Sequence, residues 1–381
     1  MVLTRLVLLF SLLHTVVAQN ETFILPQGTG PYYTSLINEE WVDESRLDPF
    51  NSSHVRRIMI SRFDPVPRSR CHLINVPYVP PVTAAIEDEI LNAYDYPKGL
   101  WVRFYHQVCD AKKVKGEGKR KWPLALFSAG LNTTRLFSNH LAHEIASHGF
   151  TVITIDHPYD TDVVEFPNGD VILGGRVTKP ADANGSTASV EHALTVRADD
   201  ASFVLDHLKF KGDDALMFGH SFGGAASATV LLNDKRFRAG VNIDGMMFGP
   251  VLNTSLGTHG HQAFMLWGSD GHDSFTDPTW TQFYATLNSS AGVDYKREFT
   301  ITNSSHGSYW DLNILVDVAG IRDELSDTAK SGVGPIPGQP ILNIMGRYLP
   351  AFFWYVLGLK PEDEVLKGPS EDFPEVKMLH S

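Results

Sequence analysis

The sequence has 381 residues, 43% of them hydrophobic and 11% aromatic, and a formal net charge of −12. That length allows one large α/β domain or two ordinary ones, with ample apolar material for a core. The acidity argues against nucleic acid as a partner and against strongly anionic membrane surfaces.

The N-terminus carries Arg5, an apolar run from Leu6 to Leu13, and Val16-Val17-Ala18 before Gln19. This pattern predicts a secretory signal peptide over residues 1–18, cut after Ala18; the run is far short of the roughly 20 residues a membrane span needs. A secreted, extracellular protein is expected, and N-x-S/T sequons at Asn20, Asn51, Asn132, Asn184, Asn253, Asn288 and Asn303 agree with export. In that oxidising setting the two cysteines, Cys71 and Cys109, are expected to form one disulfide, not a metal site.

Residues 19–54, rich in Gly, Pro, Asn and acids, read as a surface arm. Val55 to Pro65 alternates like a half-exposed strand, Pro81 to Tyr94 reads as a helix, and Leu100 to Val108 as a second alternating strand. The basic stretch Lys112 to Lys121 contains Gly116 and Gly118 and reads as a solvated hairpin loop. A β/α alternation follows: strand Trp122 to Phe127, helix Ser138 to Ser147, strand Phe150 to Asp156. Residues 158–190 interrupt it as a cap-like excursion, with Asn168-Gly169 as a type I′ hairpin turn. Helix Glu191 to Leu208, a strand from Ala215 and a helix to Asn233 resume the rhythm. Strands Arg238 to Asp244 and Gln262 to Trp267, helix Pro278 to Leu287 and strand Tyr295 to Thr302 continue it. This alternation predicts a single α/β domain over residues 55–360, a mostly parallel sheet with helices on both faces. Pro340 to Leu357 reads as a helix kinked at Pro350; its last two turns are apolar all round, suiting burial against the sheet or contact with a lipid surface. Residues 361–381 read as a mobile acidic tail.

The most informative stretch is Ala215-Leu216-Met217-Phe218-Gly219-His220-Ser221-Phe222-Gly223-Gly224. An apolar strand runs into G-x-S-x-G, and small helix-compatible residues follow at once, which is the pattern of a nucleophile elbow. The glycines remove side chains that would collide in so sharp a turn, and the helix start directs free N–H groups at the reacting oxygen. A serine hydroxyl is a weak nucleophile at neutral pH and needs a histidine base oriented by an acid. In the α/β-hydrolase fold these follow the serine in the order acid, then histidine, at the ends of later strands. His306, in the turn after the last strand, is the candidate base. Asp244 and Asp270, at the ends of successive strands, are both candidate acids. The backbone N–H groups of Leu131 and Phe222 are the candidate oxyanion donors. Neither metal-ligand spacing nor a phosphate-cradling glycine loop occurs, so no metal and no cofactor is expected.

Several motifs taken together resemble the secreted, plasma-type platelet-activating-factor acetylhydrolases, their fungal relatives above all. They are S-R-L-D-P-F (Ser45 to Phe50), F-S-A-G-L (Phe127 to Leu131), A-S-H-G-F (Ala146 to Phe150), I-D-H-P (Ile155 to Pro158), R-A-D-D-x-x-F-V-L-D-x-L (Arg197 to Leu208), G-H-S-F-G-G (Gly219 to Gly224), N-I-D-G-M-M-F (Asn242 to Phe248) and the Ser305-His306 pair. The resemblance implies an α/β-hydrolase fold with Ser221, Asp244 and His306 as the triad, which favours Asp244 over Asp270. It also implies a calcium-independent serine esterase that removes short or oxidised sn-2 acyl groups from glycerophospholipids, at a lipid surface or in solution. Ala129 and Asn132 depart from the family, which has His and Gly there; a simple short-chain, plant-wall or polyester ester is the alternative substrate, and an inactive binding module the alternative class.

Overall fold

A computed structural model describes residues 21–114, 122–258 and 260–380. The signal peptide expected over residues 1–18 and most of the basic stretch lie outside the described residues. The chain begins with strands β1 (Phe23–Ile24), β2 (Tyr32–Leu47), β3 (Val55–Pro67) and β4 (Leu73–Pro77), helix α1 (Pro81–Asn92) and β5 (Phe104–Cys109). The alternating part comprises β6 (Leu124–Ser128), α2 (Asn139–Ser147), β7 (Thr151–Asp156), the small hairpin β8 (Val163–Glu165) and β9 (Val171–Leu173), and α3 (Ala188–His207). It continues with β10 (Ala215–His220), α4 (Phe222–Asn233), β11 (Phe237–Ile243), β12 (Gln262–Gly268), α5 (Pro278–Ser289) and β13 (Val293–Ile301). Helices α6 (Asp311–Val318), α7 (Asp327–Val333) and α8 (Gly338–Val356) precede the last strand, β14 (Val376–His380).

Among the described residues twelve strands form one sheet in the order β1-β5-β2-β3-β7-β6-β10-β11-β12-β13-β14, with β4 against β5. The run from β7 to β13 is parallel. Its central strands are buried along their whole length and read as unbroken apolar runs, because helices cover both faces. On one face Ile145, Ile314, Met345 and Phe352 of α2, α6 and α8 pack against Phe127, Phe218, Val241 and Trp267. On the other, Leu194, Ala226 and Phe283 of α3, α4 and α5 meet Leu126, Met217 and Phe264. Phe353 packs against Phe150 and Phe218 with ring centres 5.7 and 5.6 Å away, so the apolar end of α8 is spent on the core. Among the described residues no helix is long and apolar enough to cross a membrane.

The structure corrects the expected boundaries. Residues 21–54 are not a surface arm: β2 pairs antiparallel with β3 from Tyr32↔Pro67 to Leu47↔Val55 and joins the sheet. The acidic tail is anchored, since β14 pairs antiparallel with β13 and Thr302 N–H donates to Glu375 O at 2.9 Å. The sheet therefore extends past residues 55–360 at both ends. The hairpin expected at Asn168-Gly169 is present, but only Gly169 has positive φ (89°). Phe166 N–H pairs with Asp170 O and Gly169 N–H with Phe166 O, which makes a type I turn closed by a left-handed glycine in place of type I′. Cys71 and Cys109 are joined, with a Cα–Cα separation of 5.1 Å.

Candidate active site

Strand β10 delivers Ser221 to the carboxyl edge of the sheet, where its backbone is forced to φ 56°, ψ −125° before α4 begins. Glycines make that turn passable. A Cβ on Gly219 would lie 2.3 Å from Gly223 O, and one on Gly223 would lie 1.9 Å from Ser128 O. Asp244, just past β11, also has positive φ (60°), with its N–H on Trp267 O at 2.7 Å. Ser221 and Asp244 thus both hold left-handed backbone side by side at the ends of adjacent strands.

His306 opens the short helical turn after β13, which Ser305 and Ser308 cap reciprocally. Its Nε2 is 3.0 Å from Ser221 Oγ and its Nδ1 is 2.6 Å from Asp244 Oδ2. The three side chains are thus in one hydrogen-bonded line. Burial opposes ionisation of Asp244, but hydrogen bonds from His272 and His306 outweigh it and hold the carboxyl well below its usual range. Asp270, the other candidate acid, instead accepts from Asn303 N–H at 2.8 Å and closes the turn that leads to His306. His220 lies beneath His306: its Nε2 donates to His306 O at 2.9 Å, with the rings 4.5 Å apart. Burial and the neighbouring His306 push the His220 ring down to about 3, so it packs as a neutral group.

The loop after β6 faces Ser221, and a Cβ on Gly130 would come within 3.4 Å of Ser221 Cβ. Arg197, buried in α3, holds this loop from behind. It is paired through Nε and Nη2 with both oxygens of Asp160 at 2.6 Å. Its Nη1 donates to Ser128 Oγ at 2.9 Å and to Ala129 O, and its Nη2 to Gly130 O at 3.2 Å. In a trans peptide the C=O and N–H point in opposite directions. Tying Gly130 O to Arg197 therefore turns Leu131 N–H away from α3, toward the serine side. Phe222, the other expected donor, is the first residue of α4, where helical N–H groups have no partner within the helix.

Behind Arg197 lies a second layer. His157 bridges Ser128 Oγ (3.0 Å) and Asp200 Oδ2 (2.8 Å), and Asp200 is paired with Arg56 and Arg46. Arg56 also binds Asp48 at 2.8 Å. Ser45 to Phe50, Phe127 to Leu131, Ile155 to Pro158 and Arg197 to Asp200 thus meet in one buried ionic network behind the loop. The sequence marked these segments but assigned no role to Arg197, His157, Asp160 or Asp200; what they share is burial, each being 0–1% exposed. His272, from the loop after β12, sits on the second oxygen of Asp244 at 2.7 Å. A cleft of about 650 Å³ lined by Asp213, Arg238, His261 and Tyr355 lies at the opposite, amino ends of β10 to β13 and takes no part in this arrangement.

Comparisons with known proteins agree with the geometry. A ferulic acid esterase from Streptomyces cinnamoneus has the same fold: TM-score 0.74 over 94% of this chain and 99% of that one, at 23% identity. A probable 1-alkyl-2-acetylglycerophosphocholine esterase from Arthroderma benhamiae is 37% identical over 371 residues, 94% of each chain. The platelet-activating factor acetylhydrolase of Bos taurus is 29% identical over 159 residues, 34% of this chain and 36% of its own. The family model for platelet-activating factor acetylhydrolase, isoform II, matches residues 102–164 and 190–326, a span that holds the elbow, both candidate acids and His306. With a relative similar end to end and a family model over the site itself, the chain belongs to the isoform II family of platelet-activating factor acetylhydrolases.

Proposed function

We propose that the protein is a secreted serine esterase that removes short sn-2 acyl groups from glycerophospholipids of the 1-alkyl-2-acetylglycerophosphocholine type. His306 Nε2 takes the proton of Ser221 as Oγ attacks the acyl carbonyl. The oxyanion is received by Leu131 and Phe222 N–H, donors typically worth about 3 kcal/mol each. Collapse expels the glycerol oxygen, which takes the proton from His306 and leaves as the lysophospholipid. Water, deprotonated by the same imidazole, then frees the carboxylate and regenerates the serine. Asp244, kept ionised, fixes the tautomer of His306 and stabilises its imidazolium.

The observation that carries this reading is the unbroken line of contacts at 3.0 and 2.6 Å from Ser221 through His306 to Asp244. The substrate class rests on the family and on the Arthroderma benhamiae relative, and export on the N-terminal pattern and the sequons. The test is to treat the protein with a fluorophosphonate and map the adduct, then to compare turnover of sn-2 acetyl, butyryl and palmitoyl phospholipids with that of p-nitrophenyl butyrate. Labelling at Ser221 with a steep preference for the acetyl phospholipid is expected. Full activity in Ser221→Ala would end the reading; turnover of the simple ester alone would transfer it to a soluble short-chain substrate.

A further inference from the structure

The loop between β12 and α5 folds back sharply over Gly268, where a Cβ would meet His272 O at 1.8 Å. That fold brings His272 under the site. Its Nδ1 is 2.7 Å from Asp244 Oδ1, and its Nε2 is 2.9 Å from Asp277 Oδ2. Asp277 is itself fixed as the cap of α5, accepting Thr279 N–H at 2.7 Å. Trp280 of α5 lies against the ring with centres 4.5 Å apart and donates its indole N–H to Gly245 O at 2.6 Å. Ser269 N–H supplies a further donor to Asp244 Oδ1 at 2.6 Å. The acid is therefore gripped at one oxygen by His272 and Ser269 and at the other by His306.

A neutral imidazole has one N–H, so it can donate to only one of two carboxylates; facing both, His272 needs both protons. The charged groups in contact with it are Asp244 from β11 and Asp277 from α5, with His306 across the Asp244 carboxylate. Asp270 and Asp273 belong to its own loop, and Glu298 and His380 reach that loop through Ser274. Burial disfavours the charged ring, but the bonds to Asp244 and Asp277 prevail and lift it to about 9. At neutral pH a cation thus stands on the far side of the acid from the base.

We infer that His272, held by Asp277, is a positioning residue for the proposed triad: with Ser269 N–H it locks the Asp244 oxygen that His306 does not use, and it offsets part of that carboxylate's charge, so that His306 feels a weakened anion. This rests on the serine-esterase reading above. The arrangement fixes the direction of the effect. Losing the cation leaves the full charge of Asp244 facing His306 and holds a proton on the base to higher pH; losing the hydrogen bond lets the carboxylate turn.

The experiment separates the two contributions. His272→Gln keeps a donor and loses the charge, whereas His272→Leu loses both. Steady-state rates are measured from pH 5 to 10 on sn-2 acetyl phospholipid and on p-nitrophenyl acetate. The acid limb of kcat/KM is expected to move up by about one pH unit in both variants, the scale of one unit charge acting across the carboxylate at intermediate dielectric. In His272→Leu kcat falls about tenfold at the plateau with KM within twofold, and His272→Gln recovers most of that loss. An acid limb unmoved in His272→Gln overturns the inference, because a merely structural histidine would change the folded fraction and leave the limb in place. The Gln variant decides the matter even if the Leu variant does not fold. Wild-type protein that hydrolyses neither ester and takes no fluorophosphonate defeats the parent reading instead, so the two failures are distinct.

Discussion

Replacing Arg197 tests how the oxyanion loop is built. The side chain is 1% exposed and serves four acceptors: the Asp160 carboxylate, Ser128 Oγ, Ala129 O and Gly130 O. Arg197→Met would strand the buried Asp160 carboxylate, and breaking a buried pair in this way costs about 3–5 kcal/mol. Total stabilities are commonly about 5–15 kcal/mol, so that variant sits near the edge of folding. Arg197→Lys is the informative change. It keeps a cation beside Asp160, but an ammonium cannot span the carboxylate and two carbonyls as the guanidinium fork does. With Gly130 O released, Leu131 N–H loses its aim, and loss of one oxyanion donor lowers kcat about 10²–10³-fold. The assay pairs thermal melting with steady-state kinetics on sn-2 acetyl phospholipid at a temperature where the variant is folded. Arg197→Lys is expected to keep KM within a few-fold while kcat collapses. A folded Lys variant with wild-type kcat would refute the reasoning, since the loop would then hold its shape without the fork.

Asp244→Asn is expected to lower kcat about 10⁴-fold by losing the anion that fixes the tautomer of His306, whereas Asp270→Asn leaves activity near wild type; kinetics on one ester decides between them. The buried rings of His106, His140 and His143 stand 5.8 to 5.9 Å apart. Burial, followed by the repulsion of His143, drives His140 down to about 3, and burial drives His143 to about 4 even against Glu144. The unfolded chain takes up protons below about 6.5 that the folded chain refuses, so stability is full above that pH and drains as pH falls toward 4, by about 1.4 kcal/mol per unit for each ring. Urea titrations at pH 7, 6 and 5 should show that slope, and it should flatten in His140→Phe. The bridge between Cys71 and Cys109 closes a separation of 38 residues, for which chain entropy predicts about 4 kcal/mol of stabilisation. The double Cys→Ser variant should unfold at correspondingly lower urea yet keep its esterase rate, because β4 and β5 are remote from Ser221.

The readable parts of the chain were those where one physical requirement dominates a short stretch. Buried parallel strands are mostly apolar, so β6, β7, β10 and β12 stood out; β11 and β13, which carry Arg238 and Lys296-Arg297-Glu298, were legible from the alternation of strands with helices. The elbow needs glycines at fixed offsets, so Ser221 stood out as well. Strand β2 escaped because it is studded with polar and acidic residues, Asn38-Glu39-Glu40 among them, that face solvent; its strand state comes from pairing with β3 and with Cys109 of β5, far along the chain. Strand β14 has five residues and an acidic context, and only the edge of β13 gives it form. Arg197 and His272 eluded the reading for a related reason. Each acts on a group distant in sequence, Arg197 on a loop more than 60 residues earlier and His272 on Asp244, 28 residues earlier at the end of β11, and no local spacing announces such a return.

The anchoring of the C-terminal strand has a practical edge. His380 stacks on Tyr284 at 4.6 Å and its Nε2 lies 3.0 Å from Ser274 Oγ, inside the loop that carries His272. A protease that nicks the chain after residue 360 therefore loosens the loop that carries His272 as well as the rim of the sheet. Shortened versions prepared for crystallisation would then report an enzyme slower than the intact one, with a bare β13 free to zip onto its neighbour.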